Sequence, residues 1–420
     1  MKKVLMAAYQ FPPVGGSGVQ RSVKFAKYLP SMGWQPVVLT RDTGKMTLRD
    51  ESLVKEIPPQ TEILRASARD LTVLPSLMAK PGKFVAWKLL IPDGEVLWMK
   101  GALRLALSRL EKGDIKALYT TSYPYSDHLL GLKVKEKHPE LPWIADFRDE
   151  WTNNPYLLDK PHPAYRMEKE RRMERLILEK ADHLIANTPI MKANFVRLHP
   201  NLNLETRMTV IPNGFDPEDF EKITMEPRSD GKFRITYTGA LYERRKPDLF
   251  LKALGNLVRD GRINRDTIRV SFIGSFKQDV MERLVAQNDL VGSVEAVSYM
   301  PHDECLKRMM GSDVLLLIEG GGPGSEAFYT GKIFEYIQTN RPILAVIPEK
   351  GAAAGILRST RTGLVCDWAD EKAIEGALEK LYSDWQNQTL TLSPDYNEIG
   401  RYNRKALTQE LAKLLDGVSQ

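Results

Sequence analysis

The sequence predicts an α/β protein of two doubly wound domains, each a parallel sheet covered by helices. Three observations carry this. Short apolar, β-branched runs bounded by turn residues recur along the chain. Amphipathic stretches such as SGVQRSVKFAKYLPSMG, AYRMEKERRMERLILEKA and PDLFLKALGNLVRDG lie between them. Near residue 232 the alternation restarts after the polar stretch DPEDFEKITMEPRSDGK, and 420 residues are too many for one ordinary core.

In chain order, the predicted strands of the first half are KVLMAAY, WQPVVLT, EILRAS, ALYTTSY, LPWIADF and HLIANT. Those of the second half are RMTVIPN, FRITYTG, IRVSFIG, VEAVSYM, DVLLLIE, RPILAVI and GLVCDW. Near-continuous apolar strands of this kind belong to parallel sheets buried on both faces. The expected domains are residues 1–207 and 208–395, with 396–420 a single amphipathic helix folding back on the first domain. The segment KPGKFVAWKLLIPDGEVLWMKGALRLALSRL fits the alternation poorly. With Trp87, Trp98 and several lysines it reads either as core or lid helices, or as an interfacial helix on anionic membrane.

Composition narrows the function classes. An apolar fraction of 42% and a charged fraction of 27% describe a folded globular protein. The N-terminal apolar run is short and leads into prolines and glycines instead of a cleavage site, so it reads as a buried strand. No run approaches the ~20 apolar residues of a spanning helix. Two cysteines without metal spacing suit a reducing, cytoplasmic setting. The net charge of +6 favours anionic partners such as nucleotides, phosphates or an acidic lipid surface. Nucleic acid is not expected, because no aromatic-interleaved basic stripe or helix-turn-helix pattern occurs.

Several stretches together resemble one family. FPPVGGSGVQRSVKFAKYL, DFRDEW, HLIANTP, VIPNGFD, YTGALYERRKPDLFLKAL, VSYMPHDECLKRMMGSDVLLL and YTGKIFEYIQTNRPILAV follow the order seen in the retaining, nucleotide-sugar-dependent glycosyltransferases of family 4. The resemblance implies the GT-B fold, two Rossmann-like domains facing across a cleft. It also implies sugar transfer from a nucleotide diphosphate sugar to a saccharide or lipid-linked acceptor hydroxyl, with retention. Bacterial envelope or extracellular polysaccharide synthesis is the expected setting, peripheral at the inner face of the membrane. A nucleotide-sugar epimerase on the same fold, or a non-catalytic nucleotide-sugar-binding protein, are the alternatives.

Candidate site residues follow from local chemistry and from the resemblance. Thr330, Gly331 and Lys332 lie where a glycine-rich loop feeds a helix, a setting that suits a diphosphate. Glu335 takes the ribose-binding role by resemblance, or else only stabilises the helix start. Eight residues before it the family carries an acid near the donor sugar, whereas this chain has Ala327 with Glu326 beside it: either Glu326 takes the catalytic place by a one-residue slip, or the backbone N–H groups of Gly322 to Ala327 hold the sugar alone. After FRITYTG, the Arg that usually follows the glycine is replaced by Ala240. The leaving-group cations then come from Arg244, Arg245 and Lys246 beyond Gly239, Arg245 and Lys246 foremost. Tyr299 and Met300 are candidates beside the nucleobase.

In the first domain His128 is a catalytic candidate beneath the donor sugar, with Tyr123 and Tyr125 shaping an acceptor pocket. Asp146, Arg148 and Asp149 end a strand and either orient an acceptor or form an internal Arg–Asp pair. The loop around Gly15 and Gly16 lacks the Lys-Ser/Thr of a Walker A and the GxGxxG spacing. It is expected instead to approach the donor's diphosphate. No Asp-x-Asp motif occurs, so neither a metal nor any other cofactor is expected.

Overall fold

A computed structural model describes residues 1–44, 49–67, 90–160, 162–221, 223–224, 228, 230–242, 244–298 and 300–419, the Ser17 side chain excepted. The chain divides into two compact units, Met1–Asn213 with Arg404–Gln420, and Gly214–Asn403.

The first unit holds β1 (Lys2–Ala7), β2 (Trp34–Arg41), β3 (Glu62–Ala66), β4 (Ile115–Ser122), β5 (Trp143–Phe147), β6 (His183–Ala186) and β7 (Met208–Val210). They form one parallel sheet in the order β3-β2-β1-β4-β5-β6-β7. Val4, Leu5 and Met6 are fully buried, as a parallel sheet covered on both faces requires. Its helices are α1 (Ser17–Tyr28), α2 (Met99–Leu110), α3 (Ser126–Lys137), α4 (Ala164–Lys180) and α5 (Pro189–Leu198). Strand order reverses between β1 and β4, the switch point where open α/β sheets receive ligands at their carboxyl ends.

Two expectations of domain organisation need correction. RMTVIPN is not a second-half strand, since Met208–Val210 pair with β6 of the first sheet. The C-terminal stretch is not one helix: a short helix at Tyr396–Gly400 and a longer one at Arg404–Val418 are separated by a three-residue turn. There the Phe215 N–H donates to the Tyr402 carbonyl at 3.0 Å and Phe215 bridges Asn403, which fixes that backbone outside helical geometry. The terminal helix buries Leu407, Leu411 and Leu415 against Val4, Phe25, Trp34 and Ile144. Three buried leucines contribute up to about 5–9 kcal/mol by area.

The second unit holds β8 (Phe233–Thr238), β9 (Ile268–Ile273), β10 (Val294–Val297), β11 (Val314–Ile318), β12 (Ile343–Val346) and β13 (Gly363–Cys366). Their order is β10-β9-β8-β11-β12-β13, all parallel, with the reversal between β8 and β11. Helices α6 (Asp248–Arg259), α7 (Gln278–Gln287), α8 (His302–Met310), α9 (Lys332–Gln338), α10 (Ala352–Thr360) and α11 (Glu371–Gln386) flank it. Phe250, Leu251, Leu254 and Leu257 put the apolar stripe of α6 into a core with Tyr237, Phe272 and Leu378.

Of the ambiguous segment 81–110, residues 81–89 lie outside the described residues. Trp98 is buried, with its ring 5.2 Å from that of Tyr9, and α2 packs Ala102 and Ala106 inward. This part is therefore core. Among the described residues no helix is long and apolar enough to cross a membrane.

Candidate functional site

At the switch point of the second sheet, Gly239 follows β8 and Glu319 follows β11. Gly239 has φ +109, and a Cβ there would stand 2.8 Å from the Lys332 Nζ. Only glycine lets the strand end pass under that lysine. Lys332 begins α9, and its Nζ lies 3.9 Å from the Tyr237 ring centroid, inaccessible to solvent and without a hydrogen-bond partner among the described residues. Burial, then the neighbouring Arg245, holds its ammonium well below the usual lysine range.

Arg245 is buried, with its guanidinium over Tyr242 and Phe328 and its Nη2 4.0 Å from Glu319 Oε1. Glu319 is 6% exposed, and that oxygen accepts no hydrogen bond among the described residues. Burial pushes its carboxyl up to about 7, against the pull of Arg245 and Lys332. Two cations and a carboxylate are thus buried together at the carboxyl edge, and the Lys332 Nζ and the Glu319 Oε1 have no hydrogen-bond partner among the described residues. Such an arrangement is costly unless something else completes it.

The other second-unit candidates divide. Thr330 is buried and Gly331 exposed, both leading into α9. Glu335 is half-buried with its Oε1 3.0 Å from His302 Nε2, so it does more than stabilise a helix end. Arg244 is partly exposed and donates to the Pro323 carbonyl at 3.0 Å, clamping the glycine loop. Lys246 is exposed, unlike Arg245. Ala327 is buried and Glu326 exposed, so Glu326 does not slip into the buried position. The buried acid here is Glu319, which sequence reasoning passed over. Its signal was an acid closing the apolar run VLLLI before three glycines. Tyr299 lies outside the described residues. Met300 borders a groove of about 830 Å³ lined by Arg234, Arg269 and Lys307, away from the Lys332 cluster.

In the first unit the switch point is bounded by the turn after β1 and by the Ser122–Tyr125 loop after β4. Gly16, at φ +102, precedes α1 and leaves its start without a side-chain cap; Gly15 stands just before it. Tyr123 is exposed and its hydroxyl donates to Glu95 at 3.2 Å. Tyr125 is buried, stacked on Trp151, and donates to the Glu150 carbonyl at 2.6 Å.

Three other first-unit candidates are engaged internally. Asp146 is fully buried and accepts from Arg21 Nε at 2.7 Å, Arg21 Nη2 at 2.9 Å and Thr121 at 3.0 Å. Burial opposes its charge, yet the Arg21 guanidinium holds the carboxyl below its usual range. Arg148 donates to the carbonyls of Ser122, Gly18 and Tyr123, which stitches the β4 loop to α1. The internal-pair reading is therefore the one realised for Asp146, with Arg21 as partner instead of Arg148. Asp149 stays half-buried. His128 has no exposure, packs on Phe147 and meets Thr120 through Nδ1 at 2.8 Å. Burial depresses the imidazole to about 3, so it is neutral near pH 7. Its ring is a core element of this unit, not an exposed acid or base.

The glycosyltransferase family 4 model matches residues 16–219. That stretch is just under half of the chain and lies almost wholly within the first unit. A D-inositol 3-phosphate glycosyltransferase from Gordonia bronchialis is 26% identical over 140 residues, 30% of this chain and 30% of that protein. The match thus spans less than a third of the relative's length. The fold is that of the GT-B members among solved structures. Sucrose-phosphate synthase from Thermosynechococcus elongatus superposes with a TM-score of 0.68 at 16% identity, over 99% of both chains. WaaG, a glycosyltransferase involved in lipopolysaccharide biosynthesis, superposes with a TM-score of 0.60 at 14% identity, over 99% of this chain and 98% of that one.

Proposed function

We propose that this protein is a family 4 glycosyltransferase that transfers a sugar from a nucleoside diphosphate donor to an acceptor hydroxyl with retention of anomeric configuration. The donor is held by the second unit and the acceptor by the first. The observation that carries this is the pair of buried cations, Lys332 and Arg245, at the β8/β11 switch point, with the lysine's ammonium lacking a hydrogen-bond partner among the described residues. A diphosphate supplies acceptor oxygens to both and takes up their charge, which grows in value as the glycosidic bond breaks. Glu335 beside His302 suits the ribose hydroxyls.

Asp146, a first-unit carboxylate candidate, is enclosed by its partners and is not a free nucleophile. Front-face attack fits this best, the departing phosphate receiving the acceptor's proton. Metal-independent transfer is proposed because the cations can do the electrostatic work. A saccharide or lipid-linked acceptor, polysaccharide synthesis and peripheral residence at the inner membrane face complete the proposal. A thermal-shift series of nucleoside diphosphates and their sugars tests it. One base and one sugar should raise the melting temperature by mass action, and no shift with any of them would overturn the donor reading.

A further inference from the structure

We propose that Glu319 is a positioning residue of the donor site whose carboxylate stands in for the diphosphate, keeping Arg245 and Lys332 in place while the site is empty. This rests on the donor reading above. Glu319 is anchored at the end of β11, where its N–H donates to the Val346 carbonyl at 3.0 Å. Its Oε1 lies 4.0 Å from Arg245 Nη2, near enough for attraction and too far for a hydrogen bond. A counter-charge at that range steadies a guanidinium by attraction, without a direct hydrogen bond between the two groups.

The groups facing this carboxylate come from several elements. Arg245 reaches it from the loop after β8, and Lys332 and the Thr330 N–H from the start of α9. Tyr237 of β8 feels its charge, while Glu335 and Cys305 act on Lys332 from α9 and α8. An arriving diphosphate brings more negative charge than the carboxylate it replaces. Two anions then compete for the same two cations, and the repulsion is relieved when Glu319 takes a proton from solvent to become a neutral acid. Burial already raises this carboxyl to about 7, so the step is within easy reach.

The consequence is that nucleotide binding takes up a proton when Glu319 begins ionised. Above about pH 7 the affinity should fall as pH rises, by up to about tenfold per pH unit for one coupled proton. Below about pH 6 the group is already neutral and the dependence from this source vanishes.

The test is calorimetry of the preferred nucleoside diphosphate with wild type, Glu319→Gln and Glu319→Asp across this range. Glu319→Gln should match wild type near pH 6 and bind about tenfold or more tightly near pH 8.5, whereas Glu319→Asp should keep the wild-type profile. A wild-type to Gln ratio that does not change with pH would overturn the proposal while leaving the donor site standing. If Glu319→Gln does not fold, wild-type titrations in buffers of different ionisation enthalpy decide. Zero proton uptake above pH 7 would overturn it. Failure of every nucleoside diphosphate to bind at any pH would overturn the donor reading itself.

Discussion

Replacing Lys332 with Met should move stability and ligand affinity in opposite directions. The ammonium is buried without an acceptor among the described residues, a state that costs roughly 1–3 kcal/mol relative to a satisfied group. Its position 3.9 Å from the Tyr237 ring centroid returns about 1–2 kcal/mol as a cation–π contact. Methionine keeps the stem's packing and removes both effects, leaving a net gain of up to about 2 kcal/mol. For a unit of this size each kcal/mol is a rise of about 2–4 °C in Tm. Nucleoside diphosphate binding should instead weaken by about 1.5–3 kcal/mol, the worth of a charge-assisted hydrogen bond. That is roughly tenfold to a hundredfold in Kd. Differential scanning calorimetry and titration calorimetry read the two effects separately. A variant that melts lower and binds as well as wild type would make Lys332 a structural residue and refute the reasoning.

Three further outcomes are expected. Glu335→Ala should lower nucleoside diphosphate affinity by about 1.5–3 kcal/mol, and an unchanged Kd would remove it from the site. Asp146→Ala should destabilise the first unit by about 3–5 kcal/mol in urea titrations, because it strands the buried Arg21 guanidinium. Nucleotide affinity should stay as it is, and a small stability loss would mean the pair is replaceable by water. His128 is held neutral by burial, so the unfolded chain binds a proton below its ordinary value of 6.5 that the folded chain refuses down to about 3. Its contribution is complete above 6.5 and is lost as pH falls. His128→Asn should therefore flatten the decline of the urea midpoint between about pH 6 and 4, and an equally steep decline would show that other groups set it.

The strands were legible because parallel sheets demand apolar residues on both faces. Runs such as VLMAA and VLLLI announce that demand locally. The placement of β7 was not legible. A strand of three residues carries little pattern of its own, and its sheet is decided by pairing with β6. The cluster at Lys332 was visible from its glycine-rich loop. The fate of Asp146 was not, because its partner Arg21 is 125 positions away. Whether a polar group at a strand end meets solvent or a buried partner depends on such distant choices. Glu319 was missed for another reason: attention followed a fixed spacing back from Glu335, whereas the buried acid stands at the end of the neighbouring strand.

The terminal helix gives the first unit an unusual biosynthetic history. Its core is closed by Leu407, Leu411 and Leu415, residues that leave the ribosome only after the whole second unit. Until then the apolar surface around Phe25, Leu29 and Trp34 has no cover, while all 190 residues of Gly214–Asn403 are being made. The second unit is continuous in sequence and has no such debt, so it can complete its fold before the unit that precedes it. A stop codon just before Arg404 would therefore injure the end of the protein that was translated first.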